Sequence, residues 1–314
     1  MRGQIVTVFG GSGFIGRHLM RRLARAGARV RVAVRHPETA HFLRPMGDVG
    51  QIQLFKVNVN DADSVAGVLA GADAAINLVG VAWQSGGGQK FEALHAIAPG
   101  TIGEEAARAG VKHIVHVSAI GADAASPSHY ARSRAHGEDA LTRAFADATI
   151  LRPSIVFGPE DGFFNKFAAL ARYTPALPLY GGGNTRFQPV YVGDVADAIV
   201  NALASDAARG KIYELGGPQI FTFRELMELI LKETGRKRLL VPLPFFVGTL
   251  NAAILGLLPN PLVTMDQIKL LKSDNVVADG APGLKDLCVT PSALELYLSD
   301  YLVRFRRTGQ FARA

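Results

Sequence analysis

Glycines at positions 10, 13 and 16 stand where a short apolar run, Ile5 to Phe9, gives way to a helix-forming segment. That spacing suits the binding of a dinucleotide pyrophosphate. Gly10 permits a tight turn, Gly13 lets backbone amides approach the phosphates, and Gly16 lets the next helix pack close to the strand. Ser12, Phe14, Ile15 and Arg17, in the same turn and at the helix start, are candidate cofactor contacts with them. A second strand bears on which dinucleotide. Val30, Val32 and Val34 alternate with Arg31, Ala33 and Arg35, and the run ends at Arg35-His36-Pro37 with no acid before Glu38. A carboxylate there would bind the adenosine ribose of NAD and repel a 2′-phosphate, whereas a guanidinium would grip that phosphate through charge-assisted bonds. Arg35 therefore points to NADP(H), with Arg17 as a second cation; a solvated strand-end charge is the plain alternative.

These residues need a frame. Gln51 to Val59, Ala74 to Val81, Val111 to Ser118 and Thr149 to Val156 read as the third to sixth strands. Between them lie a short helix ending at Leu69, a helix from Phe91 to Ala109 interrupted at Pro99-Gly100, and a helix opened by Ser126 as cap with Pro127 in its first turn. Residues 84–88 read as a flexible loop. Repeated βα units predict an α/β, Rossmann-type, doubly wound parallel sheet of about seven strands, followed by a smaller, mostly helical C-terminal lobe. The ligand belongs over the carboxyl ends of strands one and four, where strand order reverses. Residues at strand ends complete the candidate cofactor set: Asn58, Val59, Leu78, Val79, Gly80, Pro153, Ile155 and Val156. Residues 1–160 plus 189–213 form the expected nucleotide domain, and 161–188 plus 214–314 the other lobe.

Composition narrows the classes. With 314 residues, 48% of them hydrophobic, the chain can build a large core. A single cysteine, Cys288, excludes an internal disulfide and a cysteine metal cluster. No histidine pair has metal-ligand spacing on a helix, so no metal is expected; His113 and His116, three apart on a strand, point to opposite faces and read as structural. The net charge is +7, and residues 1–37 hold eight arginines and no acid. Arg17, Arg21 and Arg25 share one helix face. Without a recognisable module or aromatic–basic interleaving, this reads as a polar face and no nucleic-acid partner is expected.

Two further segments resemble the extended short-chain dehydrogenase/reductase superfamily: Tyr130-Ala-Arg-Ser-Arg134 and Val117-Ser118-Ala119-Ile120-Gly121. The resemblance implies catalytic and cofactor-binding roles for Tyr130, Arg134 and Ser118, with Arg134 where the family carries lysine and Ala119 where it carries a hydroxyl, Ser118 preceding it. Arginine keeps the charge but relays no proton at neutral pH. It also implies that Leu151 to Asp161, Phe163 to Asn165 and Arg186 to Asp194 line the far side of the cofactor, with Asn165, Arg186 and Gln188 facing a substrate-like pocket. Tyr213 to Pro218, followed by Thr222 to Leu226, opens the C-terminal lobe; Asp266 to Asn275, Pro282 to Leu287 and Pro291 to Glu295 resemble the nucleotide-binding accessory subunit family of respiratory complex I and its bacterial relatives. Members of that family hold NADPH without established turnover, which agrees with the altered catalytic positions.

Residues 239–265 carry no charge. Pro244 and Pro259 bound a helix of about 14 residues, short of the roughly 20 needed to span a bilayer. A buried core helix, a partner-docking helix and an element resting on a membrane all fit it. Arg236, Lys237 and Arg238 precede it, suited to anionic headgroups, and Arg304, Arg306, Arg307 and Arg313 follow among Tyr301, Leu302, Phe305 and Phe311. Three functions follow: a complex I accessory subunit with NADP(H) held mainly structurally, an active NADP-dependent reductase or epimerase, or an NADP(H) redox sensor. The first implies respiratory-complex partners and a peripheral place on the cytoplasmic face of a bacterial inner membrane. The glycine turn at residue 10 leaves no room for a cleavable leader; the matrix side of mitochondria is expected for a trimmed mature chain.

Overall fold

A computed structural model describes residues 1–84, 90–255, 263–307 and 309. In chain order its elements are β1 (Ile5–Phe9), α1 (Phe14–Arg25), β2 (Arg29–Val34), β3 (Ile52–Lys56), α2 (Ala62–Leu69), β4 (Ala74–Asn77), α3 (Ala98–Arg108), β5 (His113–Val117), α4 (His129–Ala144), β6 (Thr149–Pro153), β7 (Val156–Phe157), α5 (Phe164–Tyr173), β8 (Ala176–Tyr180), β9 (Arg186–Phe187) and β10 (Val190–Tyr191). Then come α6 (Val192–Ala204), β11 (Ile212–Leu215), β12 (Phe221–Thr222), α7 (Phe223–Glu233), β13 (Leu239–Leu243), α8 (Phe245–Leu255), α9 (Met265–Leu270) and α10 (Glu295–Leu302).

The chain divides into two units. The first comprises Met1–Pro153, Val192–Leu215 and Gly280–Thr290; the sequence reading groups that last segment with the C-terminal lobe. Its seven strands form one parallel sheet in the order β11-β6-β5-β4-β1-β2-β3. Strand order reverses between β1 and β4, which opens a crevice at their carboxyl ends. The inner strands β1, β4 and β5 are buried almost throughout because helices cover both faces of the sheet: α1 packs with α6, while α2, α3 and α4 pack together over Phe9, Val65, Leu69, Ile102, Ile114 and Leu141.

Three boundaries differ from the sequence reading. The helix expected at Ser126 starts at His129, and Ser128 is its cap, accepting from the Ala131 amide at 3.2 Å. Pro127 precedes the cap, and Ser126 Oγ accepts from the Ser128 amide. Pro99 does not break its helix. A π-helical stretch, Glu92–Ile97, runs directly into α3, and Pro99 falls in the first turn of α3, where its missing N–H is least costly. The expected sixth strand divides, with β6 ending at Pro153 and β7 starting at Val156.

The second unit comprises Ser154–Tyr191, Gly216–Asp279 and the segment from Pro291. Its strands pair two by two: β7 with β10 and β8 with β13 in parallel, and β9 with β12 antiparallel. Helices α5, α7 and α10 enclose Phe157, Phe164, Phe223, Met227, Leu298 and Leu302. Thr222 and Glu225 form a reciprocal capping box at the start of α7. Helix α8 corrects the core reading of the uncharged stretch. Gly248 and Ala252 are buried, Gly248 against Tyr180 and Ile268, but Phe246 and Leu250 face solvent. No helix among the described residues is long and apolar enough to cross a membrane. Ser85–Gln89, Leu257, Leu258, Pro259, Phe311 and Arg313 lie outside the described residues.

Candidate functional site

The first unit holds two adjoining constellations. One is the glycine turn between β1 and α1. Gly10 adopts φ +78°, a conformation L-residues rarely adopt, and a Cβ there would sit 3.1–3.2 Å from the backbone of Leu78 and Val79. The turn is therefore pressed against the end of β4. A Cβ on Gly16 would lie 2.2 Å from the Gly11 carbonyl oxygen, so α1 can approach β1 only with glycine there. Gly13 is the N-cap of α1 and offers no side-chain cap, and the first turn has no acid. The leading amides of α1, including those of Phe14 and Ile15, are left for an anion. Arg17 donates from Nε to the Ser12 carbonyl at 3.2 Å and lies over the Phe42 ring, which braces the turn.

Arg35 lies just past β2, exposed and without a hydrogen bond or ion pair among the described residues. The nearest acid in sequence, Glu38, is engaged with His36 Nδ1 at 3.0 Å. Asn58 Oδ1 accepts from the Asn60 amide and shapes the turn after β3, with Val59 buried behind it.

The second constellation lies at the carboxyl ends of β4 and β5 and on the first turns of α4. Arg134 is buried; its guanidinium stacks on the Tyr130 ring at 5.2 Å and donates to the Val117 carbonyl at 3.2 Å. Gly80 makes room for it, since a Cβ there would meet Nη2 at 2.3 Å. The structure thus brings Tyr130, Arg134, Gly80 and the end of β5, where Ser118 follows, into one corner.

Sequence reasoning missed the residues that support this corner. His95, on the π-helical stretch, accepts at Nε2 from the Val81 amide at 3.0 Å. The ring proton then sits on Nδ1, facing Ser133 Oγ at 3.2 Å, and Ser133 donates to the Tyr130 carbonyl. Burial, with the nearby charge of Arg134, pushes the His95 pKa down to about 2. His116 is buried beside β4 with its pKa pushed down to about 3 by burial and by Arg134, so both rings are neutral at physiological pH. Among the described residues, Asn77 Nδ2, both His116 ring nitrogens, Ser118 Oγ and Arg134 Nε are buried without a hydrogen-bond partner. Native proteins rarely leave such atoms unpaired, so a ligand or water is needed here. Asn77 was the available signal, a polar residue closing the apolar strand Ala74-Ala-Ile.

Behind the corner, Arg152 on β6 grips Glu138 of α4 through two bonds, Nε at 3.0 Å and Nη2 at 2.5 Å, with Glu214 of β11 at 3.9 Å. That buried bond, more than the nearby charges, raises the Arg152 pKa. It fixes α4 to the sheet.

Pro153 ends β6 in the first unit, while Ile155 and Val156 belong to the second. There the three pocket candidates are engaged internally. Asn165 donates to the Pro159 and Asp161 carbonyls and accepts from Arg304; Arg186 forms a two-pronged pair with Asp274 at 2.8 Å; Gln188 bonds the Gly217 carbonyl and the Val277 amide. Among the described residues no cluster of His, Cys, Asp or Glu could hold a metal ion.

The NAD dependent epimerase/dehydratase family model matches residues 6–216. A mitochondrial protein of Arabidopsis thaliana named NADH dehydrogenase (ubiquinone) 1 alpha subcomplex subunit 9 is 38% identical, over 98% of this chain and 79% of its own length. The Rattus norvegicus protein of that name is 37% identical over 97% of this chain and 81% of its own. Among solved structures, the NADPH-dependent quinone oxidoreductase QOR2 of Escherichia coli, complexed with NADPH, superposes with a TM-score of 0.74 at 19% identity, covering 95% of this chain and 98% of that one. The UDP-glucose 4-epimerase of Thermus thermophilus, in complex with NAD, gives 0.70 at 21% identity, covering 97% and 99%. The chain belongs to the NAD dependent epimerase/dehydratase family, alongside the NADH dehydrogenase (ubiquinone) 1 alpha subcomplex subunit 9 proteins.

Proposed function

We propose that this protein is an NADP(H)-binding accessory subunit of a complex I-type NADH:ubiquinone oxidoreductase, peripheral to the membrane, with the cofactor held mainly as structure. The carrying observation is identity of 37–38% to subunit 9 proteins across nearly the whole chain, both units included. In a bacterium the place would be the cytoplasmic face of the inner membrane.

The residues present fit such a cofactor. The uncapped amides of α1 receive the pyrophosphate, and Gly10, Leu78 and Val79 form the floor of the turn. Arg35, without a partner among the described residues, binds the 2′-phosphate, with Asn58 and Val59 shaping the adenosine side. Ser118 Oγ and Arg134 Nε, buried and unpaired among the described residues, would hold the nicotinamide ribose together with Tyr130. A bound nicotinamide would supply hydride chemistry at its C4. What these residues do is hold: Arg134 stays cationic, stacks on Tyr130 and has no readily lost proton to pass on, and Ala119 offers no hydroxyl.

An active reductase is favoured by one observation, the half-exposed Tyr130 beside a cation. On that reading Tyr130→Phe abolishes a measurable turnover while sparing cofactor binding. On the accessory reading no turnover exists to lose, and isolation from native membranes in mild detergent brings complex I subunits along. Recovery as a lone species from those membranes would contradict the accessory role.

A further inference from the structure

The second unit carries a surface that its nucleotide chemistry does not use. On α8, Phe246 and Leu250 stand one turn apart and are 74% and 62% exposed. On β13, which directly precedes α8, Leu239 is 71% exposed and Val241 faces solvent on the same side of the strand. Tyr173, at the end of α5, is 80% exposed with the Arg172 guanidinium over its ring at 5.5 Å. Single exposed apolar residues are ordinary, but α8 follows β13 directly and the Leu239 amide donates to the Pro175 carbonyl beside Tyr173, and several such residues on adjoining elements mark an interaction surface.

A basic patch borders this run. Hydrogen bonds join three segments into it: Arg238 Nε to the Ala171 carbonyl at 2.8 Å, Arg236 Nε to the Phe305 carbonyl at 2.9 Å, and Arg306 Nε to the Glu233 carbonyl at 3.0 Å. Segments 169–173, 232–239 and 303–307 together hold eight basic residues and one acid, Glu233. Arg172, Arg236, Arg238 and Arg307 make no ion pair among the described residues. Burial and its arginine neighbours lower the Arg236 pKa, a sign of cations crowded without compensation.

We infer that this face of the second unit docks on an anionic lipid surface, with Phe246, Leu250 and Leu239 entering the headgroup boundary and the arginines meeting lipid phosphates. The partner follows from the division of labour along the chain. Residues 239–265 carry no charge and are preceded at once by Arg236-Lys-Arg238, so apolar and cationic groups are segregated as an interface of oil beneath phosphate requires. A second copy of this chain would bring cations against cations. The inference deepens the membrane-peripheral part of the accessory-subunit proposal and rests on it for biological setting, but not for its test.

The test is flotation of the full chain with vesicles of phosphatidylcholine containing phosphatidylglycerol, against vesicles of phosphatidylcholine alone. Binding to the first and weak binding to the second is expected, with loss in high salt. Replacing the exposed cations together, Arg172→Gln, Lys237→Gln and Arg307→Gln, should weaken binding about a hundredfold, near fivefold for each charge. Phe246→Ser with Leu250→Ser should also release the protein, while an unchanged far-UV circular dichroism spectrum and urea midpoint report an intact fold. Equal binding to both vesicles, binding to neither, or full binding by either variant overturns the proposal. So does a serine variant that still binds vesicles but no longer joins lipid-stripped respiratory subunits, because the face is then a protein interface. Vesicle binding without any respiratory partner in native membranes would instead count against the accessory role alone.

Discussion

The two units treat their polar side chains in opposite ways. At the carboxyl end of the first unit's sheet, Arg35 has no partner among the described residues, the leading amides of α1 are uncapped, and atoms of Asn77, His116, Ser118 and Arg134 are buried and unpaired. In the second unit, Asn165, Arg186 and Gln188, where a family enzyme would recognise substrate, are tied to Arg304, Asp274, Gly217 and Val277. The first region keeps hydrogen-bonding groups unpaired among the described residues, and the second pairs its own. Each unit taken by itself, the first leaves polar groups for a ligand, while the three candidate pocket side chains of the second are satisfied within that unit.

The contrast can be broken at several points. The largest effect is expected behind the corner. Glu138→Gln takes the buried carboxylate from the half-buried Arg152, and should cost about 3–5 kcal/mol in urea unfolding; a cost below about 1 kcal/mol would mean that α4 is held by other contacts. The next lies in pH. His95 and His116 have folded-state pKa values near 2 and 3, below the unfolded value of about 6.5. The unfolded chain therefore takes up protons that the folded chain does not, and stability present above pH 6.5 is lost as pH falls towards those values. About 2 kcal/mol for each ring should be gone by pH 5. A urea midpoint that holds steady from pH 7 to pH 5 would contradict the buried neutral pair.

Arg35→Asp should weaken NADPH binding by about 1.5–3 kcal/mol, roughly 10- to 150-fold, and affect NADH far less. Equal loss for both nucleotides would remove the 2′-phosphate role. The smallest effect belongs to the closed region. Arg186→Ala breaks an exposed pair and should cost no more than about 1 kcal/mol of stability, leaving nucleotide affinity unchanged. A large change in affinity would show that the second unit is not closed.

Much of the open region was legible in the sequence because it rests on local rules. Only glycine serves at positions 10 and 16, the strands alternate or run apolar, and Arg35 stands alone at a strand end. The helix through Pro99 reads as interrupted in the sequence because no propensity scale signals a π-helical stretch that ends at Ile97 and leaves Pro99 in the first turn of α3. The role of His95 was invisible for the same reason: its partners Val81 and Ser133 are 14 and 38 residues away. The closed region was the least legible. Arg304, Asp274 and Val277 lie 139, 88 and 89 residues from their partners, so nothing local distinguishes a pocket residue from a structural one.

The central claim is that the first unit holds NADP(H) as a fixture. The direct measurement is to purify the protein without added nucleotide, denature it, and identify the released molecule by mass spectrometry. The account predicts NADP⁺ or NADPH in near one-to-one ratio with the chain. Recovery of NAD⁺ or NADH, or of an empty protein that binds neither nucleotide when offered, would contradict it.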